Sequence, residues 1–455
     1  MKQVVYGKFG EGDLFTLPAH QGGRQMALDL LDDQGQLRFS MGAALAEAWN
    51  KRLRPSELGL DLLVLATHVY AADTRISRAL QSQDNWTREI ELIVPVSAPA
   101  AWEAAKGTLT RLLNFLSGDL WTIVFRARPE EWEELATFEE EDEEENDEVP
   151  APFTKVQLFS GGLDSLIGAI DNLAQGEVPL LISHAGDGAT SNPQQACFDQ
   201  LKEVYPDNDF DRLRFWLNVP ASLFGARESE NTTRGRSFLF FALGIFAGSG
   251  FGGPFVLETP ENGLIALNVP LDLLRLGSLS THTTHPYYMS LWNKMLQEVG
   301  IPGSIENPYW NQTKGEMAAG CRNRRLLREL IPVSLSCSSP AKARWQGRSA
   351  GHCGYCLPCL IRRASIKHAN IPDATTYTLD DLNTDIKAGS ARGKQIRSFQ
   401  AAVERLNTSP GIARWLIHKS GPLPATAAEL TELAGVYERG MQEIARLLRR
   451  TTTTG

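Results

Sequence analysis

The sequence lacks the long apolar runs and the dense cysteines that would mark a membrane or disulfide-rich secreted protein. Its longest apolar stretch, residues 237–250, is shorter than the roughly 20 residues that a membrane-spanning helix needs, and two glycines interrupt it. The first residues have no basic head followed by an apolar run, so we expect no signal peptide. Six cysteines in 455 residues do not suit a disulfide framework. These absences predict a cytoplasmic protein in which residues 237–250 form a buried helix.

The sequence also lacks a basic stripe. Its formal net charge is −9, and nine of the ten residues in 139–148 are acidic, so the rest of the chain is close to neutral. Such a chain is poorly suited to binding the negatively charged backbone of a nucleic acid. We therefore expect no direct nucleic-acid binding. Like charges repel one another and bury no apolar area, which predicts a solvated acidic linker over residues 136–152. A docking tail for a basic partner is the alternative.

Residues 1–135 have the pattern of an accessory domain with an α+β fold. Residues 60–69 are apolar and rich in β-forming types, and residues 87–96 and 121–126 alternate as strands do. Residues 100–116 have the spacing of a helix. We therefore expect strands and a helix packed in one layer.

From residue 153 to residue 375 short apolar segments alternate with helical patterns. The predicted strands cover residues 156–159, 178–183, 213–219 and 254–258, and the predicted helices cover residues 163–174, 193–204 and 237–250. This alternation predicts an α/β fold with a doubly wound parallel sheet, in which ligands bind at the carboxyl ends of the strands. Residues 376–455 are predicted to be a helical extension, with helices over residues 387–406, 412–419 and 425–450.

A glycine-rich turn follows the first strand of the α/β domain. It reads Ser160-Gly161-Gly162-Leu163-Asp164-Ser165 and opens a predicted helix. The two glycines allow successive backbone N–H groups to converge on an anion, and the helix N-terminus adds partial positive charge. The two serine hydroxyls can donate to phosphate oxygens, whereas Asp164 would repel a phosphate and is predicted to hold Mg²⁺ against it. An ordinary strand–helix turn is the alternative interpretation.

Four of the six cysteines crowd together downstream. Cys337, Cys353, Cys356 and Cys359 have spacings that suit a closed tetrahedral Zn²⁺ site, which would be structural. An iron–sulfur cluster and replacement of one cysteine by His352 are the alternatives. The two remaining cysteines, Cys197 and Cys321, are predicted to be small buried hydrophobic residues.

The glycine-rich turn resembles the PP-loop of the ATP pyrophosphatase superfamily, and not the Walker loop, which ends in Gly-Lys-Ser/Thr. Combined with the four cysteines, it is similar to the QueC family, the 7-cyano-7-deazaguanine synthases, over residues 156–363. The resemblance implies a fold of the adenine nucleotide alpha hydrolase type, with ATP, Mg²⁺ and a structural Zn²⁺. It implies that the carboxylate of 7-carboxy-7-deazaguanine is adenylated, that pyrophosphate is released, and that ammonia then displaces AMP.

The resemblance also assigns roles to cationic residues outside the loop. Arg234 and Arg236 fall where the family has a Gly-Arg-Asn stretch entering a helix, and they are assigned to the nucleotide. Lys314 lies in a segment, residues 308–316, that resembles the family's Pro-x₅-Lys-x-Glu. Its ammonium is predicted to neutralise charge on the α-phosphate or the substrate carboxylate, which makes it catalytic together with Asp164. A solvated lysine at a helix start is the alternative.

Three residues just beyond a strand end are assigned to the substrate. They are Glu258, Glu261 and Asn262. Glu261 is the preferred candidate for accepting two hydrogen bonds from the edge of a guanine ring. His282 and His285 have too few neighbouring ligand types for a metal site, so we expect their loop to contact nucleotide or substrate.

Residues 261–270 and 275–286 look like the diverged QueC-like proteins of anti-phage systems, especially the QueC-like component of Qat. The additional domains suggest a different acceptor, so the activated carboxylate is expected to pass to an amine of a partner protein in preference to ammonia. One rival is a tRNA thiolase of the same superfamily, which would need Cys197 and Cys321 close together near the nucleotide. The other is a nucleotide-binding scaffold without chemistry.

Overall fold

The structure is a computed structural model of the whole chain. It describes residues 2–17, 24–82, 84, 86–136, 150–184, 188–224, 230, 234–271, 282–341, 347, 350–383 and 386–454. The acidic run at residues 139–148 and most of the segment 275–286 lie outside the described residues.

The N-terminal region forms a four-stranded sheet in the order β2-β1-β3-β4, and all of its strand pairs are parallel. The strands are β1 (Gln3–Lys8), β2 (Arg24–Asp29), β3 (Glu89–Val96) and β4 (Leu120–Ala127), and the helices are α1 (Met41–Asn50), α2 (Glu57–Arg75), α3 (Arg78–Gln81) and α4 (Pro99–Ser117). Helices that connect parallel strands make this region α/β, and the α+β expectation was wrong.

Residues 60–69, which we expected to be extended, form the middle of helix α2. Ser56 begins this helix, because its side chain accepts a hydrogen bond from the Gly59 amide at 3.1 Å. Nearly every residue from Gly59 to Thr74 is buried. A helix that is buried on all sides has apolar residues on every face, so its 3.6-residue period is hidden and the run resembles a buried strand.

The central region contains a five-stranded parallel sheet in the order β7-β6-β5-β8-β9. The strands are β5 (Lys155–Leu158), β6 (Pro179–His184), β7 (Asp211–Phe215), β8 (Phe255–Glu258) and β9 (Gly303–Glu306). The helices are α5 (Leu163–Ala174), α6 (Gly188–Val204), α7 (Arg236–Gly248), α8 (Gly263–Leu267), α9 (Pro286–Val299), α10 (Lys314–Gly320), α11 (Arg324–Leu330) and α12 (Leu357–His368). The α/β class with a parallel sheet is confirmed, and so is the buried helix predicted at residues 237–250.

Different hydrophobic clusters cover the two faces of the five-stranded sheet. Leu180 and Ile182 of β6 belong to the cluster that contains α7 and α9. Leu181, between them in sequence, belongs to the cluster that contains α5 and α11. Since successive strand residues point to opposite faces, helices cover both sides of the sheet.

The N-terminal and central sheets share one hydrophobic cluster. Helix α2 packs on α7, and helix α4 packs on α9. The two regions are therefore joined through their interiors.

The C-terminal extension is helical, as predicted. It comprises β10 (Ile386–Lys387), α13 (Ala391–Thr408), α14 (Ala413–Leu416), α15 (Ala427–Leu448) and β11 (Thr453–Thr454). Its apolar side chains form a core with α8 and α12 of the central region. Across the described residues, no helix has the length and apolar character needed to cross a membrane.

Candidate functional site

The strand order places a binding crevice between β5 and β8. The chain runs from β5 to one edge of the sheet through β6 and β7, then returns to build β8 and β9 on the other side. In open α/β sheets ligands bind beyond the carboxyl ends of the strands at this switch point. A cavity of about 370 Å³ opens there, and its lining includes the glycine-rich turn, the start of the segment after β8, and Lys314.

The turn after β5 requires glycine. Gly161 has a φ of 73°, in the left-handed region that favours glycine. A Cβ atom at Gly161 would also lie 2.8 Å from Cγ of Gln194 on α6. Gly162 is the N-cap of α5, so the turn brings the chain directly into the helix.

The two serines of the turn converge at the N-terminus of α5. Their Oγ atoms are 3.1 Å apart, and the Ser165 hydroxyl accepts a hydrogen bond from the Ser160 amide at 3.2 Å. The Ser160 hydroxyl accepts from the Gly162 amide at 3.3 Å. Both serines line the cavity, and the positive end of the helix dipole faces the same space. This arrangement is suited to an anion such as a phosphate.

Asp164 and Lys314 form a buried ion pair at the cavity. The Lys314 Nζ lies 3.2 Å from Oδ2 of Asp164, and the lysine side chain is 4% exposed. Lys314 is thus buried, and the solvated-lysine alternative is wrong. Oδ2 also accepts a hydrogen bond from the Asn262 side-chain amide at 2.8 Å. Oδ1 is buried and has no hydrogen-bond partner among the described residues, so it remains able to bind a ligand.

Asn262, predicted to contact substrate, connects helix α8 to this ion pair. Its side-chain oxygen accepts a hydrogen bond from the Ile265 amide and caps α8, while its amide group donates to Asp164. It is fully buried. Its observed contacts orient Asp164.

Glu261 is a second carboxylate at the cavity. Burial and the negative charge of Asp164 raise its pKa to about 7, although a hydrogen bond from the Thr284 hydroxyl (2.7 Å) and the charge of Lys314 oppose the shift. Thr283 and Thr284 line the same wall. Glu261 can therefore present either a carboxylate or a carboxylic acid to a ligand near neutral pH.

Other predicted site residues have different surroundings. Glu258 accepts hydrogen bonds from Lys155 at 3.0 Å and from Asn172 at 2.7 Å, at the side of β5. The Arg234 guanidinium donates to the Ser117 carbonyl at 2.8 Å and lies over the Trp86 ring. Neither side chain is among the described residues that line the cavity. Arg236 lies 5.3 Å from the ring centre of Phe240, which does line it.

The histidine loop reaches the cavity through its threonines. The His282 ring stacks on Phe115 of α4 with centroids 4.4 Å apart, and its Nδ1 lies 3.1 Å from the Phe115 carbonyl oxygen. His285 caps α9 by accepting from the Tyr287 amide. Helix α4 of the N-terminal region therefore supports the Thr283–Thr284 wall.

The four downstream cysteines come together as predicted. Their sulfur atoms all lie within 4.8 Å of one another, with 3.9 Å between Cys337 and Cys356 and 3.9 Å between Cys353 and Cys359. A tetrahedral ion with metal–sulfur bonds of about 2.3 Å needs sulfurs about 3.8 Å apart. The group is therefore suited to one metal ion such as zinc. An iron–sulfur cluster with sulfide between its irons would need wider spacing.

His352 is not part of the group of four ligand atoms. Its Nε2 accepts a hydrogen bond from the Ser336 amide at 3.1 Å, and burial lowers its pKa to about 3. The neutral ring therefore holds the backbone just before Cys337, and the four ligand atoms are all sulfur.

Sequence reasoning missed a connection between the cysteine group and the glycine-rich turn. The Leu335 amide donates to the Gly161 carbonyl at 2.9 Å, and the Ser336 hydroxyl accepts from the Leu163 amide at 3.1 Å. The fully buried Arg362, three residues after Cys359, donates to Ser334. The sequence shows that Ser336 precedes Cys337 directly. It does not show that Ser336 contacts Leu163.

The remaining two cysteines lie in the hydrophobic cluster that contains α5. Burial raises the pKa of each thiol, Cys197 and Cys321, to about 12. Neither is among the described cavity-lining residues. Both behave as the buried hydrophobic residues that we predicted.

Comparisons with known proteins assign no function to this site. No protein-family model, no curated protein and no solved structure matches the chain. A function is therefore inferred from the cavity, its charged residues and the cysteine group.

Proposed function

We propose that the protein is a QueC-like, PP-loop enzyme that uses ATP to adenylate the carboxylate of a 7-deazaguanine. The observation that carries the proposal is the buried Asp164–Lys314 pair, which lies at the start of α5 and at the switch point of a parallel sheet. A serine-lined helix N-terminus beside a buried ammonium suits a polyphosphate. A carboxylate with one free buried oxygen suits Mg²⁺.

The residues of the turn and Lys314 have distinct roles in this proposal. The backbone amides and the hydroxyls of Ser160 and Ser165 bind the pyrophosphate part of ATP. Asp164 offers Oδ1 to Mg²⁺, which neutralises charge on the phosphates when bound. Lys314 stabilises the negative charge that develops where the carboxylate meets the α-phosphate.

The reaction has two balanced steps. A carboxylate oxygen of the substrate attacks the α-phosphorus, the bond from the α-phosphorus to the oxygen that bridges it to the β-phosphorus breaks, and pyrophosphate leaves. An amine then attacks the carbonyl carbon of the acyl adenylate, loses a proton, and releases AMP. The enzyme contributes mainly by positioning the reactants and neutralising charge.

Glu261 and the Thr283–Thr284 wall are proposed to bind the substrate ring. An ionised Glu261 accepts N–H donors from the edge of a guanine-like base, and the threonine hydroxyls add polar contacts. The acceptor in the second step is proposed to be an amine of a partner protein in preference to ammonia, in an anti-phage system of the Qat type.

The cysteine group is proposed to hold a structural Zn²⁺. Four sulfur ligands close the coordination sphere, so the ion supplies folding energy and not a reactive position. Leu335 and Ser336 then link the metal-bound segment to the phosphate-binding turn through their hydrogen bonds to Gly161 and Leu163.

The thiolase rival is disfavoured by the two buried cysteines, because a thiol with its pKa raised to about 12 supplies little thiolate. The scaffold rival predicts nucleotide binding without turnover. Kinetics of Asp164 and Lys314 variants distinguish it from an enzyme.

The proposal is tested by pyrophosphate release from ATP and Mg²⁺ in the presence of 7-carboxy-7-deazaguanine. We expect release that depends on this compound and that falls about 100-fold or more in Asp164→Asn and in Lys314→Met. Two surface variants on described helices, Asp199→Asn and Lys294→Met, serve as matched controls and should retain full activity. Release that is absent in the wild type, or unchanged in both site variants, would exclude the proposal.

A partner acceptor is tested separately by intact mass. Proteins encoded beside this chain are co-expressed with it, and one of them should gain the mass of the acyl deazaguanine. An unchanged mass in every neighbour, together with formation of the primary amide from ammonia in vitro, would assign ammonia as the acceptor.

A further inference from the structure

The C-terminal helix α15 contacts the elements that hold both partners of Asp164. Gly440 lies so close to Leu264 of α8 that an added Cβ would be 2.8 Å from Leu264 Cδ2. A Cβ on Gly263, the residue after Asn262, would lie 2.9 Å from Val436 of α15. The short helix that positions Asn262 is thus packed directly under α15.

The same helix forms polar contacts with the segment that contains Lys314. Arg439 forms an ion pair with Glu316 at 2.6 Å and donates to the Asn311 carbonyl at 3.0 Å. One turn further along α15, the buried Glu443 accepts a hydrogen bond from the Thr313 hydroxyl, and its carboxylate lies beside Gly315. Thr313 is the N-cap of α10, and Lys314 is its first residue.

Lys314 occupies an electrostatically unfavourable position, because a cation at a helix N-terminus opposes the helix dipole. Glu443 places a carboxylate beside this helix end, and Gly315 leaves room for it, since a Cβ there would lie 2.5 Å from the Glu443 carboxylate. Burial raises the pKa of Glu443 to about 7, while the hydrogen bond from Thr313 lowers it. Burying a carboxylate is costly unless it is hydrogen-bonded or paired, and Glu443 has the Thr313 hydroxyl as donor and His368 Nδ1 at 3.5 Å.

We propose that Glu443 is a positioning residue that fixes the first turn of α10, and with it the Lys314 ammonium, against Asp164. The C-terminal extension is then a structural part of the site. The geometric part stands on these contacts alone, and its catalytic consequence rests on the function proposed above.

Amide hydrogen exchange tests the geometric part without any substrate. In Glu443→Ala the amides at the start of α10 should exchange about tenfold faster than in the wild type, because the hydrogen bond to the N-cap Thr313 and the carboxylate beside Gly315 are lost. Glu443→Gln retains an oxygen that accepts the Thr313 hydrogen bond and should stay close to the wild type. Glu432→Ala, an exposed glutamate on the same helix, is the matched control.

Gly315→Ala changes the contact between Glu443 and the start of α10 by a substitution on α10. Its methyl group should displace the flexible Glu443 carboxylate while leaving α15 unchanged in sequence, so it should raise exchange at the start of α10 as Glu443→Ala does. This variant keeps the test decisive if Glu443→Ala does not fold.

Kinetics test the consequence. At saturating ATP the rate of pyrophosphate release should fall about 10- to 100-fold in Glu443→Ala, with the ATP concentration for half-maximal rate changed less than about threefold. Exchange at α10 that matches Glu432→Ala in both Glu443→Ala and Gly315→Ala would overturn the proposal. Faster exchange in a protein whose wild type releases no pyrophosphate would support the positioning role and overturn the adenylation function.

Discussion

Two carboxylates face the same cavity, and their surroundings give them different chemistry. Asp164 has a lysine ammonium and an asparagine amide on one oxygen. Glu261 has a threonine hydroxyl on one oxygen and the charge of Asp164 nearby, and its pKa is raised to about 7. Asp164 is therefore suited to pairing with cations, and Glu261 to a role that depends on pH.

Glu261→Gln should stabilise the protein more at about pH 8 than at about pH 5. The pKa of Glu261 in the folded protein is raised from 4.5 to about 7, so the stability that its proton contributes is present below about 4.5 and is lost as the pH rises through 7. Gln is neutral at every pH and avoids this loss. We expect the gain in melting temperature over the wild type to be larger by about 2 °C or more at the higher pH.

Glu203→Gln, an exposed substitution on α6, is the control and should show no such difference. An equal change in melting temperature at both pH values for Glu261→Gln would contradict the assigned environment of Glu261.

The sequence predicted residues at the cavity better than it predicted their contacts. The glycine-rich turn and Lys314 come together because a strand–helix turn and a helix start both face the switch point. That Asn262 bonds to Asp164, and that Glu258 is occupied by Lys155 and Asn172, depends on side-chain directions that residue type does not encode.

At the scale of elements, the segment before Cys337 connects the cysteine group to the glycine-rich turn. Leu335 bonds to Gly161, and Ser336 bonds to Leu163 and to His352. The cysteine group can thereby set the position of the turn.

Ser336→Ala should weaken ATP binding while metal binding is retained. The lost hydrogen bond to the Leu163 amide is worth about 1 kcal/mol, so the dissociation constant for ATP with Mg²⁺ should rise about fivefold by calorimetry. Metal analysis should still find about one ion per chain. Ser409→Ala, which replaces an exposed serine just after α13, is the matched control.

Removal of the metal by a chelator should lower the melting temperature and weaken ATP binding in the wild type, because ion binding is coupled to folding. Unaltered ATP affinity in both the chelated protein and Ser336→Ala would show that the connecting segment has no influence on the turn.

Elements whose apolar residues repeat at a regular spacing in the sequence were predicted well. Elements without such a repeat were not. Helix α5 has the predicted bounds, because its large apolar residues, at positions 163, 166, 167, 170 and 173, repeat at helical spacing. Residues 60–69 were assigned wrongly, since α2 is buried on all sides. Strands β1 and β2 were missed, and β2 is only partly covered, so its six residues give a weak alternating pattern.

At the scale of the whole molecule, a buried ion-pair network of the N-terminal region is joined to the central region by a hydrogen bond. Arg88 bonds to Asp73 at 2.8 Å and to Asp119 at 2.7 Å, and both carboxylates are buried. Asp73 also accepts the Gly235 amide at 2.7 Å, just before α7 of the central region. The acidic linker is therefore not the main connection between these regions.

Arg88→Ala should destabilise the whole chain by about 3 kcal/mol, because it leaves buried carboxylates without their cation. Urea unfolding should shift as one transition for both regions, since they share a core. Lys106→Ala removes an exposed ion pair with Glu103 and should cost less than about 1 kcal/mol. Two separate transitions, with only one displaced, would contradict the joined interior.

The most direct test of adenylation is the transfer of oxygen from substrate to AMP. The protein is incubated with ATP, Mg²⁺, an amine acceptor and 7-carboxy-7-deazaguanine whose carboxylate carries heavy oxygen, and AMP is analysed by mass spectrometry. Attack of the carboxylate on the α-phosphorus predicts AMP that contains one heavy oxygen atom, and no such product with Asp164→Asn. AMP without the label, or ADP as the nucleotide product, would contradict adenylation of this carboxylate.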